Sequence, residues 1–132
     1  MKVVQKSGKK KRAIARATLK PGNGKIKINN QLLETIEPKL ARAKMKEPLM
    51  LAGELSNKVN IDVSVVGGGT ISQADASRLA IARALVEYSK DPKLEKTFLD
   101  YDRQLLVADV RRKEVRKPNR SKARAKRQKS YR

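Results

Sequence analysis

The sequence predicts an α+β fold: a two-layer sandwich of a small mixed sheet with helices on one face, followed by an extended basic C-terminal tail. Three observations predict it. Runs that alternate with a period of two lie at 13–19, 25–29 and 59–65. Runs with helical spacing lie between and after them. The last 22 residues hold twelve cations and one large aliphatic residue, Val115. The globular body is therefore assigned to 1–110 and the tail to 111–132.

The first strand expected is Ala13–Leu19, with Ala13, Ala15, Ala17 and Leu19 on one face and Ile14, Arg16 and Thr18 on the other. Pro21-Gly22-Asn23-Gly24 is a turn signal. Lys25–Asn29 alternates again, and the two runs are expected to form a β-hairpin with Ile26 and Ile28 buried. Glu37-Pro38 opens a helical stretch that carries Leu40, Lys44, Met45, Leu49 and Leu51, with Gly53 as its stop and Pro48 as a break or kink. Val59–Val65 is the clearest strand, ended by Gly67-Gly68-Gly69. A helix follows over 72–89, with Ser72 and Asp75 approximating a capping box and Ala74, Ser77, Ile81, Ala84, Leu85 and Tyr88 as its inner stripe. Asp91 as N-cap and Pro92 open the final helix, whose inner face is expected to carry Leu94, Phe98, Tyr101 and Leu105.

Charge narrows the function classes. The chain has 132 residues and a net charge of +20; the tail holds twelve of the 33 cations and one of the 13 acids, so it carries +11 and the body +9. A tail of this kind cannot build a core, and its self-repulsion favours an extended, solvated chain. Stretched out at about 3.3 Å per residue, it reaches roughly 70 Å, a length suited to threading into a folded nucleic acid. A solubilising tail and an anionic membrane are the competing readings; the segment lacks the apolar face or lipidation signal of a membrane anchor. The basic body argues for a polyanion that touches both parts.

Cysteine and histidine are both absent, which excludes disulfides, Cys/His zinc sites and histidine acid–base catalysis. No apolar run approaches the roughly 20 residues that span a bilayer, and the N-terminus lacks the apolar stretch of a signal peptide. An intracellular, soluble protein is expected, with no cofactor, no metal and no membrane partner. Asp100, Asp102 and Asp109 sit among Arg103, Arg111 and Arg112, so ion pairs explain them better than a carboxylate metal cluster.

Gly67-Gly68-Gly69-Thr70-Ile71-Ser72-Gln73 is the strongest local signal. Glycines permit close backbone approach, and a helix N-terminus offers free amides to a phosphate. A tight strand-to-helix turn with positive φ explains the same residues. A nucleotide-binding P-loop does not, because no Gly-Lys-Ser/Thr follows. Arg78 and Arg83 interrupt a helix of small residues; solvated charge and phosphate contact are both open. Tyr131 is equally open as a base-stacking residue or a plain surface tyrosine.

Gly67 to Leu85, GGGTISQADASRLAIARAL, resembles the signature of the small-subunit ribosomal protein nine family: Gly67, Gly68, Gly69, Ser72, Gln73, Ala76, Ala80, Ala82, Arg83, Ala84 and Leu85 fill its places without a gap. Gly8–Arg16 resembles that family's basic first strand, Asp109–Lys117 its Asp-x-Arg passage into the tail, and Gln128–Arg132 the terminus of archaeal and eukaryotic members. With no long N-terminal extension, the chain is most similar to an archaeal-type member. The resemblance implies a structural, non-enzymatic protein in the head of the small ribosomal subunit, without an obligate homo-oligomer. The implied partners are small-subunit ribosomal RNA, neighbouring small-subunit proteins and, at the end of the tail, the P-site tRNA.

On that resemblance the expected ribosomal-RNA contacts in the body are Lys9, Lys10, Lys11, Arg12, Arg16, Gly67, Gly68, Gly69, Gln73, Arg78 and Arg83. Those in the tail are Arg111, Arg112, Lys113, Arg116, Lys117, Arg120, Lys122, Arg124, Lys126 and Arg127, and the expected tRNA contacts are Lys129, Tyr131 and Arg132. A protein cofactor of an RNA-processing ribonucleoprotein is the alternative on fold analogy. A small phosphotransferase using the glycine loop is a third reading, weakened by the missing catalytic constellation.

Overall fold

The computed structural model describes residues 2–119 and 122–125. Five strands form one sheet: β1 (Val4–Lys10), β2 (Ala13–Pro21), β3 (Ile26–Ile28), β4 (Gln31–Leu32) and β5 (Val59–Val66). The helices are α1 (Lys39–Ala52), α2 (Thr70–Ser89) and α3 (Pro92–Tyr101), with short 3₁₀ turns at Leu33–Thr35, Gly53–Lys58 and Arg103–Leu105. The order across the sheet is β1-β2-β5-β3-β4. Only β3 and β5 run parallel, so the sheet is mixed. The inward residues of β2, β3 and β5 are buried while most of the intervening ones are exposed, so one face carries the helices and the other meets solvent.

The expected hairpin between 13–19 and 25–29 does not form. β5 lies between the two strands, antiparallel to β2 and parallel to β3. The Pro21–Gly24 turn is shaped by β5 rather than by itself. Gly22 N–H donates to the Lys58 carbonyl at 2.9 Å and Gly24 N–H to the Val59 carbonyl at 3.0 Å. Asn60 Oδ1 accepts from the Asn23 and Lys25 amides, both at 3.0 Å. The partner of β2 on its other side is β1, which the period-two pattern does not reveal, because only Val4 and Gly8 of that strand are buried.

The helices differ from expectation in three places. α1 continues through Pro48, which is buried, and ends at Ala52 with Gly53 as its C-cap at a positive φ of 63°. Packing on Pro48 outweighs the loss of one helical hydrogen bond. α2 starts at Thr70 with Gly69 as N-cap and no side-chain cap, so Ser72 lies inside the first turn and the expected capping box is absent. Asp91 caps α3 as expected, accepting from the Lys93 amide at 2.9 Å. α3 ends at Tyr101, so Leu105 reaches the core from the following 3₁₀ turn while Tyr101 faces solvent.

The core is aliphatic and built of small residues. Ala13, Ala15, Ala17 and Leu19 of β2 face Ala76, Ala80, Ala84 and their neighbours on α2, all buried. Besides the expected stripe, Ala76, Leu79, Ala80 and Ala82 are buried, because α2 lies between the sheet and α1. Phe98, fully buried, plugs the end of the core under α3.

The approach of β1 to α2 depends on Gly8. A Cβ there would sit 2.4 Å from the Ala76 carbonyl oxygen and 2.8 Å from the Ala80 nitrogen. Both are backbone atoms and cannot swing away. Gly8→Ala is therefore expected to destabilise the fold by about 1–3 kcal/mol, the usual range for overpacking. A chemical-denaturation midpoint unchanged from the parent chain would contradict this contact.

Candidate nucleic-acid interface

Three distant segments meet at one cleft of about 670 Å³: the β1–β2 turn (Lys10, Lys11, Arg12), the glycine turn with the start of α2 (Gly68, Gly69, Ser72), and the root of the tail (Asp109, Arg111, Arg112, Lys113). Each is placed by a local device. Lys11 takes a left-handed conformation at φ 53°, which closes the tight β1–β2 turn. Gly67 and Gly68 take φ 78° and 68°, a region that disfavours side chains.

The three glycines do different things. A Cβ on Gly67 would lie 2.5 Å from the Arg12 carbonyl oxygen, and one on Gly68 would lie 3.0 Å from the Ala13 Cβ. These two are required by the fold, which brings the strand end against the β1–β2 turn. Gly69 has an ordinary φ of −102°, and a Cβ on it would meet nothing within 4 Å. Its bare backbone faces the cleft. Beyond it, the first amides of α2 have no intrahelical acceptor and no side-chain cap. Such a terminus favours anions. Gln73 holds the turn from behind, with its Nε2 donating to the Gly67 carbonyl at 3.0 Å.

Asp109 fastens the tail root to this turn. Its carboxylate accepts from Lys10 Nζ at 2.6 Å and from Arg111 Nε and Nη2 at 3.0 and 2.7 Å. It also accepts the Arg111 amide at 2.9 Å. The Arg111 guanidinium and the Lys10 ammonium hold the Asp109 carboxyl well below the usual carboxylate range. Asp109 is mostly buried while the Arg111 side chain is 82% exposed, so Arg111 keeps its outer edge free for a second anion.

The remaining expected contacts divide clearly. Arg78 is turned inward, only 11% exposed, between Glu47 of α1 at 2.6 Å and Asp102 at 3.0 Å. Burial raises the Asp102 pKa, but the Gln104 amide and Arg78 outweigh it, and the net shift is downward. Arg83 donates from Nε to the Leu106 carbonyl at 3.1 Å and from Nη1 to the Ser7 carbonyl at 3.0 Å. Both arginines hold the protein together rather than face the cleft. Lys9 and Arg16 are exposed on the solvent side of the sheet. Among the described tail residues, Arg116, Lys117, Lys122 and Arg124 belong to no helix or strand. Glu114 gathers Lys117 at 3.3 Å and Arg124 at 2.7 Å. Arg120, Lys126, Arg127, Lys129, Tyr131 and Arg132 lie outside the described residues.

The sequence gives no hint that Lys10 and Asp109 meet, since 99 positions separate them. Among the described residues there is no cluster of metal-ligating side chains, and no helix is long and apolar enough to cross a membrane.

The ribosomal protein S9/S16 family model matches residues 8–132. Small ribosomal subunit protein uS9 of Methanothrix thermoacetophila is 57% identical over 132 residues, covering all of both chains. The proteins of the same name from Methanococcus maripaludis and Methanococcus vannielii are each 52% identical over 134 residues, again with full coverage. All three relatives are archaeal.

Two predictions follow from the geometry. Gly67→Ala should lower the thermal midpoint strongly, whereas Gly69→Ala should lower it only by the small cost of alanine as a helix N-cap; equal effects would show that the glycines are not divided as described. Asp109 has a lowered pKa in the folded chain, so its contribution is present above the unfolded-chain value of about 3.9 and is lost as pH falls below it. Asp109→Asn should therefore flatten the acid side of the stability–pH curve while retaining the fold near neutrality. An acid limb identical to that of the parent would refute the tail-root contact.

Proposed function

The chain belongs to the ribosomal protein S9/S16 family, a structural, non-enzymatic family of the small ribosomal subunit, and from that premise we propose that it binds small-subunit ribosomal RNA through the cleft and tail. One observation carries the reading: Lys11, Arg12, the free amides of α2, Arg111, Arg112 and Lys113 converge around Gly69, the glycine of the triplet whose Cβ position is open space. Phosphate is the group that satisfies this set, since amide donors and fixed cations bind it without regard to base identity. The tail continues the same chemistry over twelve cations. In this reading its last residues, Lys129, Tyr131 and Arg132, reach the P-site tRNA, and Arg132 grips an anticodon-loop phosphate with its planar fork. Arg78 and Arg83 position the elements that carry the cleft.

Binding dominated by phosphate neutralisation falls steeply with salt, by about 0.7–0.9 in log–log slope per phosphate contacted. Removing 111–132 should flatten that slope for small-subunit RNA, and Gly69→Val should weaken binding without unfolding the chain. A truncated chain with the full slope would exclude the tail as a principal contact.

Removing 130–132 should leave subunit assembly intact, because the rest of the tail still holds RNA. Charge-assisted hydrogen bonds are worth about 1.5–3 kcal/mol before screening, so tRNA should leave the P site roughly tenfold faster. Unchanged tRNA dissociation from small subunits reconstituted with the shortened chain would refute the tRNA contact.

A further inference from the structure

The solvent face of the sheet has a composition that neither the core nor the cleft explains. The strand register places four exposed cations on it: Lys9 of β1, Arg16 and Lys20 of β2, and Lys27 of β3. Among the described residues none of the four forms an ion pair. Asp62, beside Lys27 in the register, is the one acid on the face among the described residues. Hydroxyls are interspersed with the cations: Ser7 and Ser64 flank Arg16 on the neighbouring strands, and Thr18 lies between Arg16 and Lys20 along β2.

Dimensions follow from sheet geometry. Arg16 and Lys20 are four residues apart on one strand, about 13 Å. Arg16 and Lys27 stand two strands apart, across about 10 Å. The cations are thus spread over the face among the hydroxyls instead of clustering at a point. A shallow depression of about 470 Å³, lined by Arg16, Thr18, Lys27, Asp62 and Ser64 among others, lies on this face.

The partner is identified by what the face offers and what it lacks. No aromatic residue lies on it among the described residues, so it does not stack single-stranded bases as other RNA-binding sheets do. Its exposed large aliphatics are at the ends, Val66 beside the glycine turn and Leu32 on the outer edge. A protein interface would place apolar or aromatic residues at the centre. Spread cations with hydroxyls between them suit the wide, shallow minor groove of paired RNA, which displays both phosphates and 2′-hydroxyls.

We infer that the solvent face of the sheet is a second RNA-binding surface, which takes the backbone of a double-stranded RNA segment across its minor groove. This rests on the ribosomal-RNA reading and extends it to a face separate from the cleft. Val66 runs directly into Gly67, so the two surfaces are continuous and one RNA domain engages both.

The test uses the full chain with a perfectly paired RNA duplex of about 16 base pairs, a length that presents two successive minor grooves, and a DNA duplex of the same sequence. Arg16→Gln with Lys27→Gln should lower the log–log salt slope on RNA by about two, one for each lost phosphate contact. Thr18→Val with Ser64→Ala should weaken RNA binding several-fold and leave DNA binding unchanged. A cleft pair, Lys11→Gln with Arg12→Gln, is the control. If the cleft pair lowers the slope and the sheet pair does not, the second surface is refuted and the ribosomal-RNA reading stands. If neither pair lowers it, the ribosomal-RNA reading falls too. Equal losses on RNA and DNA for the hydroxyl pair would overturn the minor-groove assignment. In reconstituted small subunits the sheet pair should expose paired RNA to hydroxyl radicals. Loss of a neighbouring protein with RNA protection intact would make the face a protein contact and overturn the inference.

Discussion

The structure depends on how closely α2 lies against β1 and β2. Alanines on the strand face alanines on the helix, and Gly8 brings β1 to within contact of the α2 backbone. Interiors packed this tightly transmit small changes in volume rather than absorb them. Because α2 is fixed, its N-terminus is fixed, and with it the glycine turn and the mouth of the cleft. Arg78 and Arg83 then lash α1, β1 and the segment after α3 to the same helix. A buried arginine flanked by two carboxylates adds little net stability, but loss of both partners would strand its charge and be strongly destabilising.

The acids of the body show the same economy. Glu47 and Asp102 serve Arg78, Asp75 serves Lys44, and Asp109 serves Lys10 and Arg111. Cations that hold the fold together have carboxylate or carbonyl partners. Lys11, Arg12 and Lys113 at the cleft and Arg16, Lys20 and Lys27 on the sheet form no ion pair among the described residues. A net charge of +20 is thereby delivered as a directed positive potential, and such a field speeds the encounter with a polyanion.

Much of this was legible in the chain. The alternation of Val59–Val65, the Asp91 cap and the Gly53 stop each follow from local chemistry, and each appears as expected. What the pattern hides is non-local. Residues 13–19 and 25–29 look like a hairpin because their turn is short, yet Asn60 reaches into that turn and β5 takes the place between them. β1 has too few buried positions to show a period. Arg78 looks like a surface charge because its partners Glu47 and Asp102 come from other elements. The glycine triplet stood for two explanations at once. The geometry gives Gly67 and Gly68 to the fold and leaves Gly69 as a helix N-cap whose Cβ position is open.

The Asp109 contact has a kinetic consequence. By holding Arg111 beside the β1–β2 turn, it makes the mouth of the cleft the origin of the tail. A polyanion seated in the cleft meets the following 21 residues as an intramolecular neighbour, at an effective concentration set by chain length rather than by the amount of protein in solution. Each further contact then forms next to one already made. Dissociation in turn requires the contacts to open together, and a surface of individually weak, salt-sensitive bonds acquires a long residence time.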